Sequence, residues 1–70
     1  MPTVLAILAT GFEEIETITP IDLLRRADVE VVTAALEDGI HVTGRSGITL
    51  HADTTLTALG DRTFDCVFLP

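Results

Sequence analysis

The 70-residue sequence has no lysine, no tryptophan and no tyrosine, and it holds a single cysteine. Its only side-chain cations besides histidine are four arginines, set against eleven acidic residues for a formal net charge of −7. Nucleic acid and anionic membrane surfaces both demand clustered cations, so the balance argues against either partner. One cysteine, Cys66, cannot close an intramolecular disulfide, and no Cys/His cluster has metal-ligand spacing. The opening stretch MPTVLAILATGFEEIE lacks a basic n-region, and its apolar run is far below the roughly 20 residues that span a bilayer. A soluble, cytoplasmic protein with no cofactor and no metal is the expectation.

What is present is 47% hydrophobic, with only three Phe among the apolar residues. Val, Ile, Leu and Ala make up the rest apart from one Met and one Cys, the composition of a buried parallel sheet. Val4 to Ala9 is a continuous apolar run ending at Gly11, which fits a strand buried on both faces. TPIDLLRRAD reads as a helix, with Thr19 as cap, Pro20 at the first helical position and Arg25 and Arg26 near the C-terminal end. Glu13 to Ile18 is open between an irregular loop, a separate turn and the start of one kinked helix through Pro20. Val29 to Leu36 reads as a second strand. Asp38-Gly39 signals a turn, and IHVTG and GITLHAD read as short strands around a loop at Gly44 to Gly47. Asp53 or Thr54 is placed to cap a short helix through Leu59, with Gly60 ending it. TFDCVFLP closes the chain as another apolar strand.

Sequential parallel strands joined by helices imply right-handed βαβ connections and an open α/β sheet. About two helices for three long strands leave such a sheet undercovered. The expectation is therefore the N-terminal part of a larger domain spanning residues 1–70, with the remainder outside it. In that geometry TGFEEIET leaves the carboxyl edge of the first strand, where open α/β sheets place their ligand crevices. One of Glu13, Glu14 and Glu16 could face that crevice with a raised pKa and donate a hydrogen bond as a neutral acid. The alternative is that all three simply favour a helix N-terminus.

VLAILATGFEEIETITPIDLLRRADVEVVTAAL, followed by VTGRSGITLHADTTL and FDCVFLP, resembles the opening half of the ThiJ/PfpI (DJ-one) family. The most specific part is the G-x-E-E-x-E-x-x-x-x-x-D-x-x-R-R-A run after a hydrophobic strand. The resemblance implies a flavodoxin-like three-layer sandwich with a mainly parallel sheet, of the class I glutamine amidotransferase-like kind. It implies cysteine chemistry on small carbonyls, of glyoxalase or deglycase type. A redox-sensing or holdase chaperone member, linked to oxidative stress, is the alternative, and a PfpI-type peptidase a further one. Glu16 matches the family glutamate that hydrogen-bonds the reactive cysteine as a protonated carboxyl. Glu16 is therefore the expected site residue, with Glu13 and Glu14 facing no site.

The nucleophile, its elbow and its histidine partner are expected beyond Pro70, in a C-terminal half supplied by the same or a second chain. The resemblance also implies a homodimer, with Glu13 and Asp22 approaching one another across the interface and Arg26 and Arg45 near it. Three features depart from the family pattern. RRAD replaces RRAG, which puts Asp28 at a helix C′ position suited to glycine. Ser46 stands where the family has arginine, leaving open whether Arg45 reaches the same anion site. The elbow lies outside the sequence. Cys66 occupies a position where the family has valine and is expected to pack as a small core hydrophobe. His41 and His51 have no partner at metal or triad spacing and are expected to be exposed or otherwise satisfied.

Overall fold

A computed structural model describes residues 1–70. The run after Pro2 forms strand β1 (Thr3–Leu8), followed by helix α1 (Glu14–Arg26) and strand β2 (Glu30–Ala35). Strands β3 (His41–Thr43) and β4 (Thr49–His51) make a hairpin, and β5 (Thr54–Thr55), α2 (Leu56–Leu59) and β6 (Cys66–Phe68) complete the order. Four strands pair in the order β5-β2-β1-β6, and every pairing is parallel. The hairpin is a separate antiparallel pair. The α/β architecture with a mainly parallel sheet is as the sequence implies.

Parallel register puts Val4 beside Val31, Ala6 beside Thr33 and Leu8 beside Ala35 on one face of the sheet. Over its first half, Val4, Ala6 and Val31 pack with Ile21 of α1, flanked by Leu24, Val29 and Phe68. Over its second half, Leu8 and Ala35 pack with Phe12, Val42 and Ala52, so the hairpin takes over where α1 ends. The opposite face carries Leu5, Ile7, Val32 and Val67, and only the four-residue α2 lies in sequence between its strands β5 and β6. Val67 there is 54% exposed.

The open question about Glu13 to Ile18 resolves as one helix. Glu13 is its N-cap, and Pro20 lies inside it. Thr19 is therefore mid-helix and caps nothing. Proline removes one ladder hydrogen bond, the one to the Glu16 carbonyl, yet the helix persists because its Thr17–Ile21 face is buried against the sheet. At the other end Asp28 is the single non-glycine residue with positive φ, at 64°. Its N–H donates to the Arg25 carbonyl and the Val29 N–H to the Leu24 carbonyl, both at 3.0–3.1 Å. This is the double bond of a Schellman stop, with Leu24 and Val29 packed on the same core.

Two further expectations change. Thr55, rather than Asp53 or Thr54, caps α2 by accepting the Ala58 N–H at 3.2 Å. Thr54 and Thr55 first form a two-residue strand against Ala34 and Ala35, a pairing too short to show in the sequence. Cys66 is exposed, not core. It pairs with Val4 at the outer edge of the sheet, where Phe68 is the β6 residue that reaches the core beneath α1. The first and last strands are also stitched at their beginnings: Thr3 N–H donates to the Asp65 carboxylate at 2.8 Å, and Asp65 N–H to the Thr3 carbonyl at 3.0 Å.

Candidate functional site

The chain leaves β1 through Ala9-Thr10-Gly11-Phe12 and enters α1 at Glu13 and Glu14. Gly11 adopts φ +89°, a conformation that turns the chain back over the sheet edge at no Cβ penalty. The turn is then held from above by the hairpin. Gly11 N–H donates to the Thr43 carbonyl at 2.8 Å, and Arg45 N–H to the Phe12 carbonyl at 2.9 Å. On the β2 side, Thr10 donates to the Glu37 carboxylate through its hydroxyl at 2.7 Å and its N–H at 3.3 Å. The Thr10 hydroxyl, and then its N–H, hold the Glu37 carboxyl below its ordinary pKa.

The three glutamates of FEEIE separate sharply. Glu14 is 6% exposed. Its carboxylate accepts the Ser46 N–H at 2.9 Å and the Ile48 N–H at 3.3 Å, satisfying the hairpin loop's inward donors. Burial pushes this carboxyl up, but the N–H groups of Glu14, Ser46 and Ile48 and the Ser46 side chain outweigh it and hold the pKa below the ordinary value. A raised pKa in this run is thus not found at its buried member. The closeness of the contact explains Gly44: a Cβ there would strike the Glu14 carboxylate and sit 2.9 Å from the Phe12 carbonyl oxygen.

Glu13 is half-buried and pairs with Arg45 at 3.2 Å. Glu16 is exposed. It lines a recess of about 380 Å³ together with Glu13, Glu14, Ile15, Ser46 and Ile48. A second depression of about 210 Å³ runs along the carboxyl edge of the sheet, between Thr10, Gly11, Leu36 and Leu69. The two lie on either side of the same β1–α1 turn. Asp22 and Arg26 form an i,i+4 ion pair on α1 at 3.1 Å. Within the chain, Glu13 meets Arg45 and Asp22 meets Arg26, while Glu16 shares only the recess with Glu13.

Glu14 is the residue that sequence reasoning set aside. The signal was present: Glu14, Thr17 and Ile21 are the buried positions of α1, an i, i+3, i+7 stripe. Reading α1 from Thr19 hid that stripe. Thr17 beside it is fully buried, and its hydroxyl oxygen finds no hydrogen-bond partner.

Comparison with known proteins bears on the family and the fold. The model of the DJ-1/PfpI family matches residues 2–70. Protein DJ-1 homolog A of Arabidopsis thaliana is 38% identical over 69 residues, which is 99% of this chain and 18% of that protein. Deglycase TK1284 of Thermococcus kodakarensis is 33% identical over 67 residues, covering 96% of this chain and 40% of the relative. Among solved structures, oxidized DJ-1 of Toxoplasma gondii superposes with a TM-score of 0.97 at 40% identity, over 100% of this chain and 38% of that one. The chain thus spans well under half the length of each of these proteins.

Proposed function

Because the chain belongs to the DJ-1/PfpI family, we propose that it is the N-terminal segment of a cysteine-dependent protein acting on small reactive carbonyls, as a glyoxalase or deglycase does. The observation that carries the reading is the match to a relative named a deglycase, which runs through the FEEIE turn. In this reading the reacting cysteine comes from residues outside these 70, and Cys66, on β6 and away from the β1–α1 turn, is not it. Glu16 is the carboxyl that hydrogen-bonds the thiolate. The thiolate adds to the carbonyl carbon, the C=O π pair moves onto oxygen, that oxygen takes the proton of the Glu16 carboxyl, and the Glu16 carboxylate takes a proton back in the following step. Its exposure in the recess beside the β1–α1 turn leaves it open to such a partner.

The protein is further proposed to act as a cytoplasmic homodimer, with Glu13, Asp22, Arg26 and Arg45 at the interface. Sedimentation equilibrium tests this: a monomer at micromolar concentration would overturn it.

The activity test is methylglyoxal consumption by the full-length protein. Turnover is expected, with Glu16→Gln lowering kcat by about 10²-fold or more. The same variant should shift the thiolate titration of the reacting cysteine, read by ultraviolet absorbance. An unchanged titration removes Glu16 from its role; absent turnover in the folded protein removes the carbonyl chemistry. A second reading, redox sensing, is favoured by the structural relative solved in an oxidized form. It predicts stoichiometric peroxide oxidation of the cysteine without carbonyl turnover.

A further inference from the structure

The outward face of the β3–β4 hairpin carries a pair of side chains that the recess around Glu16 does not use. His41 and His51 stand directly opposite one another in the antiparallel register, followed by Val42 against Leu50 and Thr43 against Thr49. Alternation buries Val42 at 4% exposure and leaves both histidines exposed on the other face. Their ring centroids are 5.5 Å apart, with the planes inclined at 60°. Ten positions of sequence hide this pairing, and only the hairpin register makes it.

We propose that His41 and His51 form a two-point chelate for a borderline transition-metal ion of the Cu²⁺, Ni²⁺ and Zn²⁺ class. Two imidazole nitrogens bound at about 2.0–2.1 Å and a tetrahedral angle hold their ring centroids about 5 Å apart. The observed 5.5 Å is close to that separation. Directly opposed strand residues have Cβ atoms about 4.5–5.5 Å apart, so the backbone itself sets the bite. The frame is fixed on both sides: Ala52 N–H donates to the Ile40 carbonyl at 2.7 Å, and the Thr43 and Thr49 hydroxyls meet at 2.8 Å.

No third His, Cys, Asp or Glu joins the pair. Asp53, two residues beyond His51, is already engaged by Arg25 at 3.2 Å and by the Thr33 N–H at 2.9 Å. The ion therefore keeps open positions for water and stays exchangeable. Imidazole suits Cu, Ni and Zn, whereas Mg²⁺ and Ca²⁺ demand oxygen ligands. The site shares no residue with the carbonyl chemistry proposed above and stands or falls separately from it.

The test is titration of the full-length protein with Cu²⁺, Ni²⁺, Zn²⁺ and Mg²⁺ chlorides, in a Cys66→Ser background that removes the exposed thiol. Calorimetry should give an ion bound at this site, tighter for Cu²⁺ than for Ni²⁺ or Zn²⁺, and nothing for Mg²⁺. Substoichiometric Cu²⁺ should broaden the ring-proton signals of His41 and His51 together in the nuclear magnetic resonance spectrum. His41→Gln and His51→Gln should each weaken binding about tenfold or more, since losing a ligand costs at least what losing its outer-shell partner does. Broadening of one ring without the other overturns the chelate, as does undiminished affinity in the double variant. The broadening is read on both native histidines, so the outcome does not depend on the histidine variants folding.

Discussion

At the scale of single residues, Glu14 joins two pieces of chain that have no helix or strand in common. Its carboxylate is the acceptor for the hairpin loop, and that loop's N–H groups are what hold its pKa down. A carboxyl whose folded pKa lies below its unfolded value of 4.5 contributes stability that is present above pH 4.5 and lost as the pH falls through the folded value. Glu37, lowered by Thr10, acts in the same direction. Denaturant midpoints measured from pH 7 down to pH 3 should therefore fall on the acid side. Glu14→Gln should flatten that limb, and Glu14→Gln with Glu37→Gln should flatten it further. An acid limb unchanged in the double variant would mean that neither carboxylate is anchored as described.

At the scale of elements, the stop of α1 is where local chemistry and conformation conflict. Asp28 holds φ 64° at a C′ position, and a residue with a Cβ in the left-handed region pays about 1 kcal/mol or more there. Asp28→Gly should raise the unfolding free energy by about 1 kcal/mol, measured by urea denaturation, while leaving the Leu24–Val29 contact in place. A loss of stability would show that the aspartate side chain compensates in some other way. The hairpin loop behaves oppositely. Gly44→Ala puts a methyl against the Glu14 carboxylate, so amide exchange at Ser46 and Ile48 should speed up.

Much of this level was legible beforehand. Strands β1, β2 and β6 announce themselves as apolar runs, and the RRAD ending marks both the helix stop and its odd residue. The beginning of α1 was legible only as one of several alternatives, because Pro20 is a strong local signal that tertiary burial of the Glu14–Thr17–Ile21 stripe overrides. Cys66 misled for a related reason. Its apolar neighbours describe a strand, but exposure depends on what covers that strand, and α1 lies over β1 and β2. His41 and His51 needed a hairpin register that spacing along the chain does not contain.

At the scale of the whole molecule, one face of the sheet is covered by α1 and the hairpin, and the other only in part: Leu5 there is buried and Ile7 and Val32 are half-buried, but Val67 on β6 is open. Val67 at 54% exposure, Leu36 at 52% and Leu69 at 72% all sit near this open side or its carboxyl edge. Apolar faces next to unpaired strand edges invite association, and the net charge of −7 opposes it. The 70-residue chain alone should therefore self-associate more as salt screens that charge. Light scattering between 10 mM and 500 mM sodium chloride checks this, and Val67→Lys should suppress the rise. Scattering independent of salt would mean that the exposed apolar residues around Val67 are not what drives association.

The stitch between Thr3 and Asp65 also bears on time. Of the strands described, β1 is synthesised before the others and β6 after them, yet the two are neighbours in the sheet, tied across 62 positions. During synthesis β1 can gain β2 as soon as α1 has closed over it, but its other edge stays open until Cys66–Phe68 have emerged. Closing so long a loop costs entropy before any contact repays it, so this pairing belongs to the slow, late part of folding. A strand buried at four of its six positions is thus the one that waits for its second neighbour, and that interval is when the nascent chain most needs shielding.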